Sequence, residues 1–580
     1  MQVASRQYLP PRRRYVGGRA GNVECIFHID ARLHPTTVDA ATAGYGFMET
    51  IAKIATNAFN ITAWTSSNSW FAFAIAAAVL FVSAAWMGFK RVSDDESPSS
   101  TVPGPRYFKS LVPMLSALGR GQMHRYHVRV VREYGENVQL RFPAPWSKIL
   151  LLTDPAAIQE VIVVANPPKA PEIVTVVKWM TEGVGSLINA DWEDWLVQRR
   201  LVSPAMSERL VGSWPVIFEE QSVPLMAHLE MAAAADSVVE MDALLMDLFL
   251  GIISRITLGR QLDDDVAREL LTDIGDILDE TMRRIFLPPV VADTLWVATP
   301  TGRRCLDART RMMATINDSV GRRREARAAA AAEAAGVRVK GDDEGGGGGA
   351  TGAADLLDLL LDAEAEGVIS ASQVAAQLHT FIIAGHDTTA HTLSFLLYEV
   401  CAAPHLQDEL AAEAAAALPE RLDFPTRETL RSVPLLGRTF KEALRKHPAV
   451  AGGTMRALSS AVRLPSGERL PAGARVSVPS FAVHRNPCQW PNPEKFDPGR
   501  FTPEAIKGRH KQAFQAFSSG PRGCIGQGLA TAEALSVLAA IFRRFELRLV
   551  DGPGGEPYPD GAAIPEPADH HMVGRCTLTL

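Results

Sequence analysis

The sequence is poor in the features that mark several large classes of protein. Its 580 residues hold only six cysteines, Cys25, Cys305, Cys401, Cys488, Cys524 and Cys576, scattered with no CxxC pair. That argues against a regularly spaced zinc site and against a disulfide framework, and fits free thiols in a reducing compartment. No G-x-G-x-x-G follows a strand, and the glycine run at 345–349 lacks the strand-to-helix setting of a phosphate loop. Flavin and nicotinamide sites are therefore not expected, and any redox chemistry must draw electrons from another protein. A formal net charge of −6 offers no basic surface for nucleic acid. Long uncharged apolar runs are lacking too, with one exception.

That exception is Trp70–Phe89, WFAFAIAAAVLFVSAAWMGF. Its length matches the roughly 20 residues that a helix needs to cross a bilayer. Trp70 and Trp86 stand near its ends, and Lys90 and Arg91 follow at once. The positive-inside bias then puts the C-terminal side in the cytosol. A buried core helix is the plainer alternative, but core helices rarely stay apolar on every face for this length. Residues 1–69 form an N-terminal extension. Its Arg6, Arg12, Arg13, Arg14 and Arg19 suit an organellar targeting segment, whereas Glu24, Asp30 and Asp39 do not. A true start at Met48 is the other possibility.

A hinge, 90–106, carries Pro103-Gly104-Pro105, and one large domain is expected over 107–580. The whole chain's apolar content of 47% suits a packed core. The fold class read from it is mainly α with small β-sheets. Strands are expected only in GENVQLRF and KILLLT, near 135–153, and in short pieces between 462 and 480. Asp154-Pro155 signals a helix start. The stretch 326–354, alanine-rich and then glycine-rich, reads as a flexible surface insertion.

Four segments carry chemistry. In FSSGPRGCIGQGLA, 517–530, glycines surround Cys524, and a helical run begins just after it. A helix N-terminus beside a thiol stabilises its thiolate. In LLGRTFKEALRKHPAV, 435–450, Glu442 and Arg445 share one face of an amphipathic helix. In SQVAAQLHTFIIAGHDTTAHTLSFLLYEVCAAP, 372–404, a helix capped by Ser370 and Gln373 carries Ala384-Gly385-His386-Asp387-Thr388-Thr389 at its middle. Glycine and paired threonines are poor helix formers, and such a break of local rule often marks a functional site. In DWEDWLVQRRLVSPAM, 191–206, Trp195 and Arg199 share a helical face.

Taken together these segments resemble the cytochromes P450. Phe517-x-x-Gly520-x-Arg522-x-Cys524-x-Gly526 is similar to that family's haem-binding loop at every named position. The resemblance implies a cytochrome P450 fold behind one N-terminal transmembrane helix, with haem b as cofactor and Cys524 as the thiolate ligand of its iron. It implies that Asp387 relays protons and that Thr388 hydrogen-bonds the bound oxygen, with Ala384 and Gly385 beside the iron and His386 not a ligand. Trp195, Arg199, Arg456 and Arg522 are implied at the haem's acidic groups, and Phe517 and Gly526 are implied among the cofactor-binding residues. Glu442, Arg445 and Arg500, the last from WPNPEKFDPGRF at 490–501, are implied to form a structural cluster; Gly499 stands where the family often has Glu. MDALLMDLFLGIISRITLGRQL, 241–262, is similar to the family's E helix.

The activity implied is a monooxygenase acting on a lipophilic substrate such as a fatty acid, sterol or terpenoid, including carotenoids. It would use O2 and electrons from NADPH–cytochrome P450 reductase or a ferredoxin. Two other readings stay open: a haem-thiolate isomerase or dehydratase of the same fold, and a non-catalytic haem sensor. The expected location is a single-pass membrane protein of the endoplasmic reticulum with a cytosolic domain, or of a plastid or mitochondrion.

Overall fold

The structure is a computed structural model that describes residues 102–105 and, with short interruptions, 113–549; the longest interruption is 335–354. The extension 1–69, the apolar span 70–89 and most of the hinge lie outside the described residues. Among the described residues no helix is long and apolar enough to cross a membrane.

The described chain is mainly helical. Helices α1 (Met123–Tyr134), α2 (Pro155–Ile158), α3 (Pro171–Met180), α4 (Trp192–Val202), α5 (Trp214–Ala234), α6 (Met241–Leu258), α7 (Asp264–Phe286) and α8 (Pro300–Ala334) precede the interruption. Helices α9 (Leu356–Ala365), α10 (Ala371–Cys401), α11 (Pro404–Ala417) and α12 (Pro434–Lys446) follow it, and α13 (Gln527–Arg544) comes after the Cys524 loop. The first part of the stretch 326–354 is not loop: residues 326–334 continue α8 as exposed helix, as their alanines favour.

Local signals explain the ends of the elements that matter. Asp154 accepts from the N–H groups of Ala156 and Ala157 and so opens α2. At α10 both halves of the capping box form: Gln373 N–H donates to Ser370 Oγ at 3.3 Å, and Ser370 N–H to Gln373 Oε1 at 2.9 Å. Helix α10 stays α-helical through its glycine and threonines to Cys401 and is buried on nearly every face. It packs chiefly against α6, and also against α8, α9, α11, α12 and α13.

One sheet runs in the order β1 (Asn137–Arg141), β2 (Lys148–Leu152), β6 (Arg475–Val478), β3 (Thr454–Ala457). β1 pairs antiparallel with β2, with Val138 opposite Leu151; β2 lies parallel to β6, with Leu150 opposite Val476. β3 closes the sheet antiparallel to β6, with Arg456 opposite Val476. A small hairpin pairs β4 (Val462–Arg463) with β5 (Arg469–Leu470). Strand β3 lies outside the windows expected to hold strands. It matters because it delivers Arg456 to the sheet.

Candidate functional site

The Cys524 loop is shaped by two backbone contacts. Cys524 N–H donates to the Phe517 carbonyl at 2.9 Å, and Gly523 N–H to the Gly520 carbonyl at 3.0 Å. Gly520 has φ +72°, and a Cβ there would stand 2.7 Å from the Ile162 carbonyl oxygen, so only glycine fits. The N–H groups of Gly526 and Gln527, at the start of α13, donate to the Cys524 sulfur. Cys524 is solvent-accessible, yet enough protein surrounds it for burial to push its thiol up. The two N–H donors and the charge of Arg199 act against that rise.

Arg199, expected at an acidic group of the cofactor, donates through Nη1 to the Gly523 carbonyl at 3.0 Å, which ties α4 to the loop carrying Cys524. Trp195 stacks on Trp192, with centroids 5.1 Å apart, and the Arg522 guanidinium lies 4.6 Å from the Trp195 ring centre. Arg522 Nη1 also reaches the Ala190 carbonyl at 3.4 Å.

Beside them lies a group of cations. Lys169 and Arg456 face each other across an antiparallel bridge, bracketed by hydrogen bonds from Ala170 N–H to Met455 and from Ala457 N–H to Pro168. Like charges opposite one another on neighbouring strands are unfavourable. Burial, then the charges of Arg456 and Arg522, pushes the Lys169 ammonium down to about 7. Burial and Arg522 push Arg456 down to about 10. Among the described residues no carboxylate pairs with Lys169 or Arg456, and Arg456 Nη1 is buried without a hydrogen-bond partner. Buried cations need acids. The cluster therefore has the chemistry to hold a dianion such as the two propionates of haem, and the residues present fit that group. Lys169 had no signal in the sequence: a lone lysine in the loop NPPKAP shows its partners only when β3 is in place.

Helix α10 supplies a second accessible surface. Within its buried length Ala384 is exposed and Gly385 and Thr388 are partly so. Thr388 Oγ1 back-bonds to the Ala384 carbonyl at 3.0 Å. Gly385 was expected to open space for the cofactor. A Cβ there would meet Ile253 of α6 at 2.5 Å, so the glycine serves the close approach of α6 and α10, and the open face is that of Ala384. His386 is buried and turned away, its Nδ1 bonded to the Ile382 carbonyl at 2.8 Å. Burial pushes its imidazole down. One residue beyond Thr388, Thr389 Oγ1 donates to Glu533 Oε1 of α13 at 2.8 Å, joining this stretch to the helix that starts beside Cys524.

Asp387 is buried, and its Oδ1 lies 3.3 Å from Nε2 of His391. His391 Nδ1 in turn lies 3.0 Å from Asp242 Oδ1 on α6, which also accepts from Ser394 Oγ at 2.8 Å. Although burial opposes it, hydrogen bonds to Asp242 and Asp387 raise the His391 imidazole to about 9. The sequence carried half of this signal, since His391 lies four residues after Asp387. Asp242 could not be read from it.

Glu442 and Arg445 are fully buried and paired with each other. Arg445 Nε donates to Glu442 Oε2 at 2.7 Å and Nη2 to Oε1 at 2.8 Å. Its Nη1 donates to the His484 carbonyl at 3.0 Å, and Nη2 also reaches that of Lys495 at 3.3 Å. Glu442 Oε1 further accepts from Asp497 N–H at 2.9 Å and stands 3.4 Å from Arg500 Nε. Arg500 also donates to the carbonyls of Pro491 and Asn492, through Nη1 and Nη2. The absent glutamate at Gly499 leaves the three charged residues together.

Comparison with known proteins agrees with this arrangement. The family model described as Cytochrome P450 matches residues 102–571. "Taurochenodeoxycholic 6 alpha-hydroxylase" of Sus scrofa is 29% identical over 428 residues, covering 72% of this chain and 78% of that protein. "Cytochrome P450 4A6" of Oryctolagus cuniculus is 30% identical, covering 69% and 75%, and "Cytochrome P450 4F3" of Homo sapiens 29%, covering 70% and 76%. A match over most of the chain, on a fold that seats an accessible cysteine at a helix start, shows that the chain belongs to the cytochrome P450 family, the haem-b monooxygenases among the oxidoreductases.

Proposed function

We propose that the protein hydroxylates or epoxidises a lipophilic substrate, a fatty acid, sterol or terpenoid such as a carotenoid. Electrons would come from NADPH–cytochrome P450 reductase or a ferredoxin. The observation that carries this reading is the hydrogen bond from Thr389 to Glu533, which joins the accessible stripe of α10, with Asp387 and Thr388, to the helix that begins beside Cys524. One relative is named as a hydroxylase of a bile-acid conjugate, a lipophilic acid, which favours an amphiphilic substrate.

Haem, when bound, supplies oxygen binding and the redox chemistry. The chain's own residues do the rest. Cys524 would ligate the haem iron as thiolate, the negative charge met by the N–H groups of Gly526 and Gln527 and by Arg199. Arg456, Arg522 and Lys169 would hold the haem propionates. Trp195 packs under Arg522 and holds its guanidinium in place. Phe517 and Gly526 keep the loop turned. Ala384 leaves the α10 surface open, and Thr388 Oγ1 holds a water on that surface. Asp387 exchanges protons with this water. Glu442, Arg445 and Arg500 lock the segment that leads into the Cys524 loop.

The test is reconstitution of the full chain with NADPH–cytochrome P450 reductase and a panel of fatty acids, sterols and carotenoids, read by product mass spectrometry with 18O2. One labelled oxygen atom in a product supports the reading. Conversion that needs neither O2 nor NADPH would replace it with isomerase or dehydratase chemistry. The span Trp70–Phe89 is proposed as a membrane anchor with the domain cytosolic. Protease added to sealed microsomes should then digest the domain, and a protected domain would invert this topology or point to an organelle.

A further inference from the structure

The buried pair formed by His391 and Asp242 has no part in the function proposed so far. His391 is 2% exposed and stands between two carboxylates from different helices. The inner one, Asp387 Oδ1, is 3.3 Å from Nε2; the outer one, Asp242 Oδ1, is 3.0 Å from Nδ1. Asp242 lies in the first turn of α6, and its side chain is 16% exposed, so it meets solvent where Asp387, at 8%, barely does. Both ring nitrogens lie within reach of an acid, so Asp242, His391 and Asp387 stand in one line, and Thr388 of the accessible stripe follows Asp387 in the chain.

From this arrangement we infer that Asp242 and His391 are the inlet through which Asp387 is resupplied with protons from solvent. The inference rests on Asp387 being the proton relay proposed above, and adds where its protons enter. Each cycle balances. The imidazolium gives its Nε2 proton to an Asp387 carboxylate that has just lost one, and remains as neutral imidazole with Nδ1–H on Asp242. Asp242 takes one proton from water. The ring then turns about Cα–Cβ and Cβ–Cγ until the bare Nε2 meets the Asp242 acid, takes its proton, and turns back to Asp387. The net result is one proton moved from solvent to Asp387, with no redox partner required.

Hydrogen bonds from the ring's N–H groups to both carboxylates are also what hold it charged, up to about 9 against an ordinary 6.5, over the opposing effect of burial. The titratable groups around it are Asp242 from α6, and Asp387 and His386 from its own helix, the last kept neutral by burial. A neutral bridging histidine would serve packing as well as a charged one. A ring that is charged and reaches both acids is suited to carriage.

The test uses the full chain with haem, reconstituted with NADPH–cytochrome P450 reductase in phosphatidylcholine vesicles, with lauric acid as probe. Oxygen consumption, peroxide release and the solvent deuterium isotope effect are measured for the parent and for His391→Gln, Asp242→Asn and Asp387→Asn. Asp242→Asn keeps an acceptor for His391 and Ser394, so it guards against simple misfolding. His391 and Asp242 variants should slow oxygen consumption on the order of 10²-fold, as loss of a general acid does, and enlarge the isotope effect. If they keep parental rates while Asp387→Asn is slow, protons enter elsewhere and the inlet is overturned, with the relay intact. If Asp387→Asn is also parental, the relay itself fails.

A second readout needs no turnover. The imidazole's folded value lies above its unfolded 6.5, so its contribution to stability is present below about 6.5 and is lost as pH rises through about 9. The thermal midpoint of the parent should fall across that window, and His391→Gln should flatten the fall. A parent with no loss of stability there would show that the ring is uncharged and would overturn the inlet.

Discussion

Arg445 and His484 are joined twice. Arg445 Nη1 donates to the His484 carbonyl at 3.0 Å, and His484 Nδ1 donates to the Arg445 carbonyl, also at 3.0 Å. The remaining ring nitrogen, Nε2, accepts from Gln515 N–H at 2.7 Å, two residues before Phe517. Burial, then the Arg445 charge, pushes this imidazole down to about 3, so it stays neutral and its nitrogens keep separate roles. The Cys524 loop is thereby hung from α12 through one histidine. Motion or loss of Arg445 is transmitted directly to the loop.

Glu442→Ala or Arg445→Ala should therefore abolish stable haem incorporation rather than slow turnover. Both side chains are 0% exposed, and removing either leaves a buried charge without its partner, at a cost of about 3–5 kcal/mol. Haem content per polypeptide and the thermal midpoint measure this. Full occupancy with an unchanged midpoint would make the pair a passive contact.

Cys524→His should lose the red-shifted Soret band that the reduced, carbon monoxide-bound form of a thiolate-ligated haem displays. The N–H groups of Gly526 and Gln527 are arranged to stabilise sulfur's negative charge, and imidazole carries none. Retention of the band in the variant would place the ligand on another cysteine.

Thr388→Ala should keep the haem spectrum and substrate binding yet release much of the consumed NADPH as hydrogen peroxide. The hydroxyl lies on the accessible stripe of α10 next to Asp387, and loss of such a group costs about 10²–10⁴-fold in a step limited by general acid catalysis. Comparing NADPH consumed with product and peroxide formed decides it. Coupling as tight as the parent's would remove Thr388 from the proton path.

Glu533 makes stability fall with pH. Burial pushes its carboxyl from 4.5 up to about 8, against a smaller opposing effect of the Thr389 hydroxyl. Between about 4.5 and 8 the folded chain keeps a proton that the unfolded chain releases, so rising pH favours unfolding. Glu533→Gln retains an acceptor for Thr389 and cannot ionise. It should be more stable than the parent at pH 8, by an amount on the order of a few kcal/mol in chemical unfolding, with the difference closing near pH 4.5. A difference independent of pH would mean that Glu533 is ionised in the fold.

Much of the chemistry was legible because it is local. The thiol, its glycines and the helix that follows lie within ten residues, and Glu442 and Arg445 meet because a helix brings residues three apart onto one face. The capping box of α10, the start of α2 and the first two strands follow from neighbouring residues in the same way. Strand β3 was not legible, since four residues of mixed character become a strand only when β6 offers an edge to pair with.

What the sequence by itself determined is which local segments carry the groups proposed to react, the cysteine, the acid and the hydroxyl, each placed by backbone geometry over a few residues. The tertiary structure alone decided what surrounds them. Lys169 meets Arg456 across 287 positions of chain, Asp242 meets His391 across 149, Gly385 lies against Ile253, and Arg199 reaches the Gly523 carbonyl. Burial strips water from such groups and makes their pairing obligatory, and which partner satisfies a buried charge depends on distances that only the packed chain sets.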